Sequence, residues 1–517
     1  MQGPIFSSVK EYAQYFTNKA LSDQAVGNFQ IKQPTALLCL PLLARGLFLH
    51  HKVSHNTNKK RMKQMLEKQN DIYVIIPHIS EPLLLLFETE AGWTLPRCPI
   101  AEPLDSAAML NQIVNEMFDL DVTTLYCAYD RYGVDSEDVH LVYALENHSS
   151  HCKLPDHGRW VALSDLSNLT LAIADHQPVL ETWFRELDER NIPALRRPWA
   201  RFGWFACASS WIDSQLTQLH YQPDGPIEQV DVQDWSCVLR VPTTSGNLYF
   251  KPSDSAFSYE PALTQALSRL WPDKIPHVLT IEEQRNWFLM EDAGIPLSEQ
   301  KDLKESITCW EELVADFARL QIASIAHVDV LLAHGCPDRR LSKLPSLFAT
   351  AFANTSALLI GKEMSEEEWE RLKNVLPELE ELCKQLADYR ISEALHHDDL
   401  HGGNVMVNGN GYIFFDWAES AITHPFCSFT VVQRVAKYLL KYDQEKQERL
   451  RDAYLTPWTV YAPIEHLREA FELALRIGKL CRGLSWYRFV QYCEPTVASK
   501  YAASWPYWLR LFLGTAE

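Results

Sequence analysis

The chain has 517 residues, which is long for one hydrophobic core, so we expect two or three domains. Its composition, with 47% hydrophobic and 22% charged residues, is ordinary for a globular protein. The formal net charge of −19 argues against a nucleic-acid partner and is compatible with a cationic ligand. The 12 cysteines are scattered singly without a CxxC pair, which argues against a zinc ribbon or a dense disulfide framework and favours free thiols in a cytoplasmic protein.

The first 70 residues do not indicate a fold. Their strongest apolar run, residues 36–49, is interrupted by Pro41 and Arg45. It is shorter than the roughly 20 residues that cross a bilayer. It also lies far from the N-terminus and lacks the basic flank of a secretory signal. We therefore predict a buried element and no membrane association.

A mixed pattern begins near Ile72. The short apolar runs IYVIIPH and LLLLFE predict strands, AAMLNQIVNEMF predicts a helix, and VHLVYAL predicts another strand. Together they predict an α+β unit that ends near Asn191. The following stretch, residues 192–203, is rich in proline, arginine and aromatic residues, and we interpret it as a linker.

A second unit is predicted from Trp204 onward. The runs IEQVDV, CVLRVP and LYFK predict strands, a helix is expected from Pro261, and IPHVL and WFLM predict two more strands. After Asp292 the pattern is mainly helical, apart from a hairpin at residues 405–415. A β-rich start followed by a helical bulk predicts two lobes.

The segment LHHDDLHGGNVMVNGNGYIFFDW carries the strongest chemical signal. Its centre is a hairpin signature, because Asn-Gly sequences supply the positive φ angles of tight turns. The hairpin would bring Asn404 beside Asp416, and their oxygens suit Mg²⁺. Asp399 would lie near the same point, where a carboxylate can orient a hydroxyl group and accept its proton. His397 would brace this loop.

This segment resembles the catalytic loop of the aminoglycoside phosphotransferase and choline kinase superfamily, relatives of the protein kinases. His397, Asp399 and Asn404 match the spacing of that loop, and Asp416 followed by Trp417 is similar to the metal-binding Asp-Phe-Gly of protein kinases. The resemblance implies ATP and Mg²⁺ as cofactors, Asp399 as the catalytic base, and Asn404 and Asp416 as metal ligands. We interpret the neighbouring His396, Asp398 and His401 as structural.

The resemblance also implies a nucleotide site in the small lobe. Lys251, at the end of a predicted strand, would hold the phosphates and pair with Glu260. The stretch WFLMEDAG resembles the family's hinge, which implies contacts from Met290, Glu291 and Asp292 to the base. These five residues would bind the nucleotide.

The expected glycine-rich cover over the phosphates is missing. No GxGxxG occurs between the first two predicted strands of this lobe, where the sequence reads QDWS. Ser236 is the residue there that could contact the phosphates. The absence favours a small-molecule kinase over a protein kinase.

Residues 71–191 are similar to the Nudix fold. TLPRCPIAE and DSAAMLNQIVNEMFDLDV occupy the place of the Nudix box and its helix, which in active members carries several Mg²⁺-binding glutamates. Here only Glu116 stands in a ligand position, and Gln112, Ile113 and Met117 stand where Arg, Glu and Glu are expected. The resemblance therefore implies an inactive domain with a scaffold or ligand-sensing role.

A small histidine cluster follows within the same domain. His148, His151, Cys152 and His157 lie close together in sequence, but their spacing matches no familiar zinc site. A polar loop explains them as well as a metal site does.

The expected fold class is α+β: a two-lobed protein-kinase-like domain preceded by a Nudix-like α/β domain. The expected parts are residues 1–70 of uncertain fold, the Nudix-like domain 71–191, the linker 192–203, and the kinase-like domain 204–517 with its small lobe 204–292 and large lobe 293–517.

The expected activity is ATP- and Mg-dependent phosphoryl transfer to a hydroxyl group of a small molecule. Acidic and aromatic residues in EEEWERLKNVLPELEEL and at 486–492 would suit a cationic acceptor. The charged run is also typical of a helix face exposed to solvent. The alternative is a non-catalytic nucleotide-binding regulator. Neither the acceptor nor the oligomeric state follows from the sequence.

Overall fold

The computed structural model describes residues 70–100, 106–132, 139–151, 154–359, 363–409 and 411–516. The predictions for the apolar run 36–49 and for Cys152 lie outside the described residues. Within them, no helix is both long and apolar enough to cross a bilayer.

The N-terminal part contains two small sheets. Its strands are β1 (Asn70–Ile75), β2 (Leu83–Thr89), β3 (Gly92–Thr94), β4 (Arg97–Ile100), β5 (Val122–Tyr132), β6 (Val139–Asn147) and β7 (Gly158–Ala162). One sheet has the order β4-β1-β6-β5, with β1 and β6 parallel, and the other has the order β3-β2-β7. Its helices are α1 (Ala107–Phe118), α2 (Leu163–Leu166) and α3 (His176–Glu186).

The predicted strands and helix of this part are present, but the long strand β5 was not predicted. Its pairing with β6 shifts register twice, between Thr124 and Tyr126 and between Cys127 and Tyr129. Each bulge adds a residue and breaks the period-two alternation by which a strand is recognised. The bulges therefore hide the alternation of buried and exposed side chains, and the sequence pattern did not predict this continuous strand.

Helix α1 offers no carboxylate cluster. Ser106 caps it by accepting a hydrogen bond from the backbone N–H of Met109, and Val114 and Phe118 are buried. Gln112 donates to Glu116 at 2.7 Å on the exposed face. No group of three or more His, Cys, Asp and Glu side chains in the described residues is arranged to hold a metal ion. The Nudix resemblance stays a prediction.

A helix, not a strand, opens the second part of the chain. Helix α4 (Trp204–Leu219) precedes the strands that were expected to come first. Its buried residues Trp204, Ala208, Ile212 and Leu216 recur every four positions and face the small-lobe sheet. That spacing is helical and was present in the sequence.

The small lobe is an antiparallel sheet of five strands. They are β8 (Glu228–Val232), β9 (Cys237–Thr243), β10 (Gly246–Pro252), β11 (Val278–Glu282) and β12 (Trp287–Glu291), in the order β11-β12-β10-β9-β8. Helix α5 (Glu260–Leu270) follows β10, with Pro261 in its first turn, where its missing N–H costs no helical bond. All five predicted strands are confirmed.

The large lobe is mainly helical. Its helices are α6 (Ile307–Ser324), α7 (Val328–Ala333), α8 (Leu344–Leu359), α9 (Glu366–Lys373), α10 (Leu376–Asp388), α11 (Phe429–Arg434), α12 (Gln444–Leu455), α13 (Ile464–Gln491), α14 (Pro495–Lys500) and α15 (Ser504–Leu513). Its short strands are β13 (Ile295–Pro296), β14 (Ala394–His396), β15 (Val405–Asn408), β16 (Gly411–Phe414) and β17 (Ala421–Thr423). The predicted hairpin is confirmed as β15 and β16, with Val405 opposite Phe414.

Candidate active site

Lys251 joins the two lobes at the base of a cleft. It lies on β10 opposite Phe288, and its side chain is 4% exposed. Its ammonium group contacts Glu260 Oε1 at 2.6 Å and Asp416 Oδ1 at 2.8 Å. Burial alone would lower the pKa of Lys251, but Asp416 and Glu260 raise it above its usual value. The lysine is therefore a permanent cation between two carboxylates.

The β15–β16 hairpin closes the loop that precedes it. The backbone N–H of Phe415 donates to the carbonyl oxygen of Asn404 at 2.9 Å, so Asn404 lies beside the residue that precedes Asp416. The Asn404 side-chain amide donates to the carbonyl oxygen of Asp399 at 3.0 Å. With Nδ2 used as a donor, the Oδ1 atom of Asn404 is left to act as an acceptor.

His397 links the loop to the second strand of the hairpin. Its Nδ1 accepts a hydrogen bond from the backbone N–H of Asp399 at 3.2 Å, so its Nε2 carries the proton and donates to the carbonyl oxygen of Phe415 at 2.8 Å. Burial lowers the pKa of His397 to about 4. The neutral ring holds the loop in place and does not itself line the cleft.

Asp416 has a left-handed backbone conformation, with φ of 60°. This conformation costs a non-glycine residue on the order of 1 kcal/mol and persists only where the surroundings impose it. Here the hairpin lies on one side of Asp416 and Lys251 on the other. Burial would raise the pKa of Asp416, but the Lys251 ammonium lowers it, so the carboxylate is ionised.

Asp399 is held by an arginine that the sequence did not indicate. Arg482, on helix α13, donates to Asp399 Oδ1 at 3.0 Å, and its other terminal nitrogen contacts Glu419. His401 Nε2 lies 3.5 Å from Asp399 Oδ2. Burial alone would raise the pKa of Asp399, but Arg482, with His401 adding to its effect, holds it well below its usual range.

Glu419 is the second carboxylate on this side of the cleft, and it too was not predicted. Burial raises the pKa of Glu419 to about 7, against the opposing charge of Arg482. Asp399 therefore remains ionised at neutral pH, while Glu419 exchanges protons in that range.

A separate buried network lies behind the loop. Asp398 Oδ2 accepts from Ser485 Oγ at 2.6 Å and pairs with Arg339 at 3.3 Å, and Asp398 Oδ1 lies 3.0 Å from His396 Nε2. These groups are almost fully buried and do not line the cleft. Their geometry is that of a structural network.

The cleft measures about 720 Å³, including space open to solvent. Its charged lining is formed by Lys251, Asp254, Glu260, Asp399, His401, Asp416, Glu419 and Arg482. Its aromatic wall consists of Trp235, Phe257, Trp486 and Phe489, and Ser236 and Ala418 complete it.

The three expected hinge residues lie outside this lining. Met290 is buried in β12, opposite Tyr249 of β10. The backbone N–H of Glu291 donates to the carbonyl oxygen of His277 at 3.0 Å. Asp292 Oδ1 accepts a hydrogen bond from the backbone N–H of Gly294 at 2.9 Å. Their contact with a nucleotide base stays a prediction.

The donor set fits a magnesium ion that also binds phosphates. The amide oxygen of Asn404, just before the hairpin, and the second carboxylate oxygen of Asp416, just after it, are hard ligands, but of these two residues only Asp416 lines the cleft. Mg²⁺ normally takes only one or two protein ligands and completes its shell with water and phosphate oxygens. These two residues would hold the ion.

Comparison with known proteins gives a family match for part of the chain. Residues 262–468 match the model of the phosphotransferase enzyme family, so this part of the chain is a domain of that family. The matched range contains Asp399, Asn404 and Asp416, whereas Lys251 precedes it and Arg482 follows it. The match supports a small-molecule phosphotransferase in general terms.

Several solved structures resemble the chain at low sequence identity. An ethanolamine kinase from Plasmodium vivax is 13% identical, with 56% of this chain and 84% of that chain covered and a TM-score of 0.40. The macrolide 2'-phosphotransferase MphH from Brachybacterium faecium is 15% identical, with 57% and 97% covered and a TM-score of 0.41. A choline/ethanolamine kinase family protein from Mesorhizobium loti is 16% identical, with 59% and 98% covered and a TM-score of 0.38. No curated protein matches the chain.

Proposed function

We propose that this protein transfers the γ-phosphoryl group of ATP, in the presence of Mg²⁺, to a hydroxyl group of a small molecule. The observation that supports this most is the convergence of Lys251, Asp416 and Asp399 on one cleft, although they come from the small lobe, the end of the hairpin and the loop before it. Phosphoryl transfer needs cations on the phosphates and an oriented acceptor, and little other chemistry from the protein.

Lys251 binds the phosphates in this mechanism. Its charge is secured by Glu260, and Ser253 Oγ holds the other oxygen of that glutamate at 2.6 Å. Asn404 and Asp416 would hold Mg²⁺, which neutralises charge on the β- and γ-phosphate oxygens when it is bound. Lys251 moves little on binding, because both of its carboxylate partners are already in place.

Asp399 orients the acceptor. Its carboxylate accepts a hydrogen bond from the hydroxyl group, the hydroxyl oxygen forms a bond to the γ-phosphorus, and the bond to the bridging oxygen of ADP breaks. The low pKa of Asp399 makes it a weak base, so the proton transfers late, once the new P–O bond has made the hydroxyl acidic. Arg482 keeps the carboxylate pointing into the cleft.

The acceptor is a small hydroxylated compound bounded by the aromatic wall. Trp486 and Phe489 offer apolar surface, and Glu419 offers a partner for a positive charge. An amine or amino sugar suits these groups, and the chain's net charge of −19 would attract it.

The decisive experiment is ADP release from Mg-ATP across a library of hydroxylated compounds, with amines, amino sugars and neutral polyols as separate groups. Wild type should turn over at least one group. Mg-ATP binding without turnover of any compound would instead support a non-catalytic nucleotide-binding regulator.

Two substitutions separate the roles of the aspartates. Asp399→Asn should lower kcat about 10²- to 10⁴-fold and leave the Kd for ATP within a factor of two, because it removes only the group facing the acceptor. Asp416→Asn should weaken Mg-ATP binding itself. Asp388→Asn, on the exposed end of α10, is the matched control. Near wild-type turnover by Asp399→Asn would rule out its assigned role.

A further inference from the structure

The turn that covers the cleft in the small lobe contains no glycine. It comprises Gln233, Asp234, Trp235 and Ser236, between β8 and β9, and we call it the cover turn. The backbone N–H of Gln233 donates to the carbonyl oxygen of Ser236 at 2.7 Å, which closes it. None of its four residues, all described, has a positive φ angle, so the turn does not require glycine. Trp235 and Ser236 line the cleft.

Side chains of the segment before α4 hold the backbone of the cover turn. The Trp199 indole N–H donates to the carbonyl oxygen of Gln233 at 3.1 Å. The Arg197 Nε–H donates to the carbonyl oxygen of Asp234 at 3.1 Å. Both side chains are buried, and Arg197 also pairs with Asp254 of the cleft lining. The predicted linker is thus a structural support for the cover turn.

The side chain of Asp234 contacts two residues near the end of the large lobe, and one of them also contacts the N-terminal part. Its Oδ2 atom accepts from Tyr501 Oη at 2.9 Å and lies 3.0 Å from Lys500 Nζ. The same ammonium group lies 3.4 Å from Asp130 Oδ2 on β5 of the N-terminal part. Lys500 therefore bridges the N-terminal part to the cover turn.

The strand that leads into the cover turn is held by the N-terminal part as well. Gln229 of β8 is 5% exposed. Its Oε1 atom accepts from the backbone N–H of Thr124 at 2.8 Å, and its Nε2 donates to the carbonyl oxygen of Thr124 at 2.8 Å. The side-chain amide of Asn111 donates to the same Oε1 at 3.1 Å. The side-chain amide of Gln229 thus forms the two hydrogen bonds to β5 that a backbone amide of a neighbouring strand would form. Through them the N-terminal part covers β8, which is an edge strand of the small-lobe sheet.

We propose that the N-terminal part is a positioning component of the nucleotide site: through Asp130 and Lys500, and through Gln229 and Thr124, it holds the cover turn closed over the phosphates. This rests on the proposed phosphotransferase function. A turn without glycine gains its rigidity from neighbours, and here those neighbours belong to another part of the chain. Disturbing the N-terminal contacts should therefore loosen nucleotide binding and leave the phosphoryl-transfer step intact.

Two full-chain variants test this proposal. Asp130→Asn removes only the N-terminal end of the bridge, and Lys500→Met removes both of its contacts. We expect the KM and Kd for ATP to rise about threefold in the first and about fivefold in the second, with unchanged kcat at saturating ATP, because partly exposed ion pairs are worth factors of this size. In the double variant, the Asp130 change should add nothing further, because its partner is already gone.

Arg131→Gln is the matched control. It is the next residue on β5, and its exposed ion pair with Asp175 at 3.0 Å does not reach the cover turn. It should leave the affinity for ATP unchanged. If Asp130→Asn and Lys500→Met bound ATP as tightly as wild type, the proposal would be wrong. If wild type itself bound no nucleotide, the proposed function would fail instead.

Hydrogen exchange on the wild-type chain gives a measurement that needs no variant. Because coupling between two sites is reciprocal, Mg-ADP should slow amide exchange in β8, in the cover turn and in β5. Slowing in the cover turn with no change in β5 would show that the N-terminal part is uncoupled from the nucleotide, and would overturn the proposal.

Discussion

Arg482 holds two carboxylates of the cleft in place. Arg482 is 1% exposed, and its planar guanidinium contacts both Asp399 and Glu419. Arginine suits this position because its donors diverge in one plane, whereas lysine offers a single point charge. Without the guanidinium, two carboxylates would face each other in a buried site.

Arg482→Lys tests this role at the residue scale. An ammonium group cannot contact both carboxylates in the same geometry, so we expect kcat to fall about 10- to 100-fold, with the KM for ATP within a factor of two. The measurement is steady-state kinetics with the acceptor found in the library screen. Arg476→Lys on the same helix, where Arg476 pairs with Glu378 at 2.7 Å, is the control and should remain active. Equal effects of the two substitutions would contradict the assignment.

At the scale of elements, helix α13 packs unusually close to the segment after the hairpin. A Cβ atom at Gly478 would lie 2.1 Å from Thr430 Oγ1 and 2.8 Å from the carbonyl oxygen of Cys427. Thr430 could rotate away, but the Cys427 carbonyl belongs to the backbone. Glycine is therefore needed inside this helix for a close approach, despite its low helix propensity.

Gly478→Ala should destabilise the protein by about 2 kcal/mol, because overpacking outweighs the gain in helix propensity. Urea unfolding of the full chain measures the change. Gly409→Ala is the control, since nothing lies within 4 Å of a Cβ atom built there. A stabilised Gly478→Ala protein would show that α13 packs differently.

A histidine pair in the N-terminal part links strand β6 to helix α3. His140 Nε2 and His176 Nε2 lie 2.8 Å apart, and Tyr73 stacks on His140. Asp71, Asp175 and Arg131 are the charged groups nearest to the pair. One ring must donate and the other accept, so the accepting ring is neutral, and the contact is lost when both rings are protonated.

This pair should make stability depend on pH. Burial lowers the pKa of His176 to about 4 from an unfolded value near 6.5, and it lowers the pKa of His140 as well. The unfolded chain then binds the proton first, so the stability from this pair is complete above pH 6.5 and is lost as the pH falls toward 4. We expect a loss of about 2 kcal/mol over that range, allowing for partial solvent screening.

Thermal unfolding of the full chain between pH 7.5 and pH 4.5 measures this loss. His176→Gln keeps a hydrogen-bonding side chain but does not titrate, so its melting temperature should fall less on acidification than that of wild type. Parallel curves for the two proteins would exclude the histidine pair as the cause.

At the scale of the whole molecule, Arg196 connects the N-terminal part to the large lobe. Its Nε lies 2.8 Å from both oxygens of Glu494, and its Nη2 lies 3.1 Å from Glu186 Oε2. The guanidinium also stacks over the Tyr126 ring at 4.3 Å. The group is buried, so its removal would leave two glutamates facing each other without a cation.

Arg196→Met should therefore cost about 3 kcal/mol and separate the unfolding of the N-terminal part from that of the kinase-like part. Calorimetry should show one transition in wild type and two in the variant. Arg190→Met, whose side chain is 88% exposed, is the control and should melt as wild type does. A single unshifted transition in Arg196→Met would mean that this contact does not couple the two parts.

Local spacing in the sequence was enough to predict part of the site. Asn404 is hydrogen-bonded to the residue before Asp416 because a short hairpin lies between them, and turn residues specify such hairpins. His397 and Asp399 are two positions apart on one loop, and Lys251 and Glu260 lie at the junction of one strand and the next helix. Alternation and turn chemistry therefore predicted the hairpin and the five small-lobe strands.

The contacts between distant segments depend on tertiary packing. Arg482 reaches Asp399 across 83 positions, because helix packing brings α13 next to the loop that contains Asp399. Trp199, Arg197 and Lys500 converge on the cover turn for the same reason. No local sequence pattern distinguishes these residues from their neighbours. Their partners depend on how the helices and sheets pack, and local periodicity does not encode that packing.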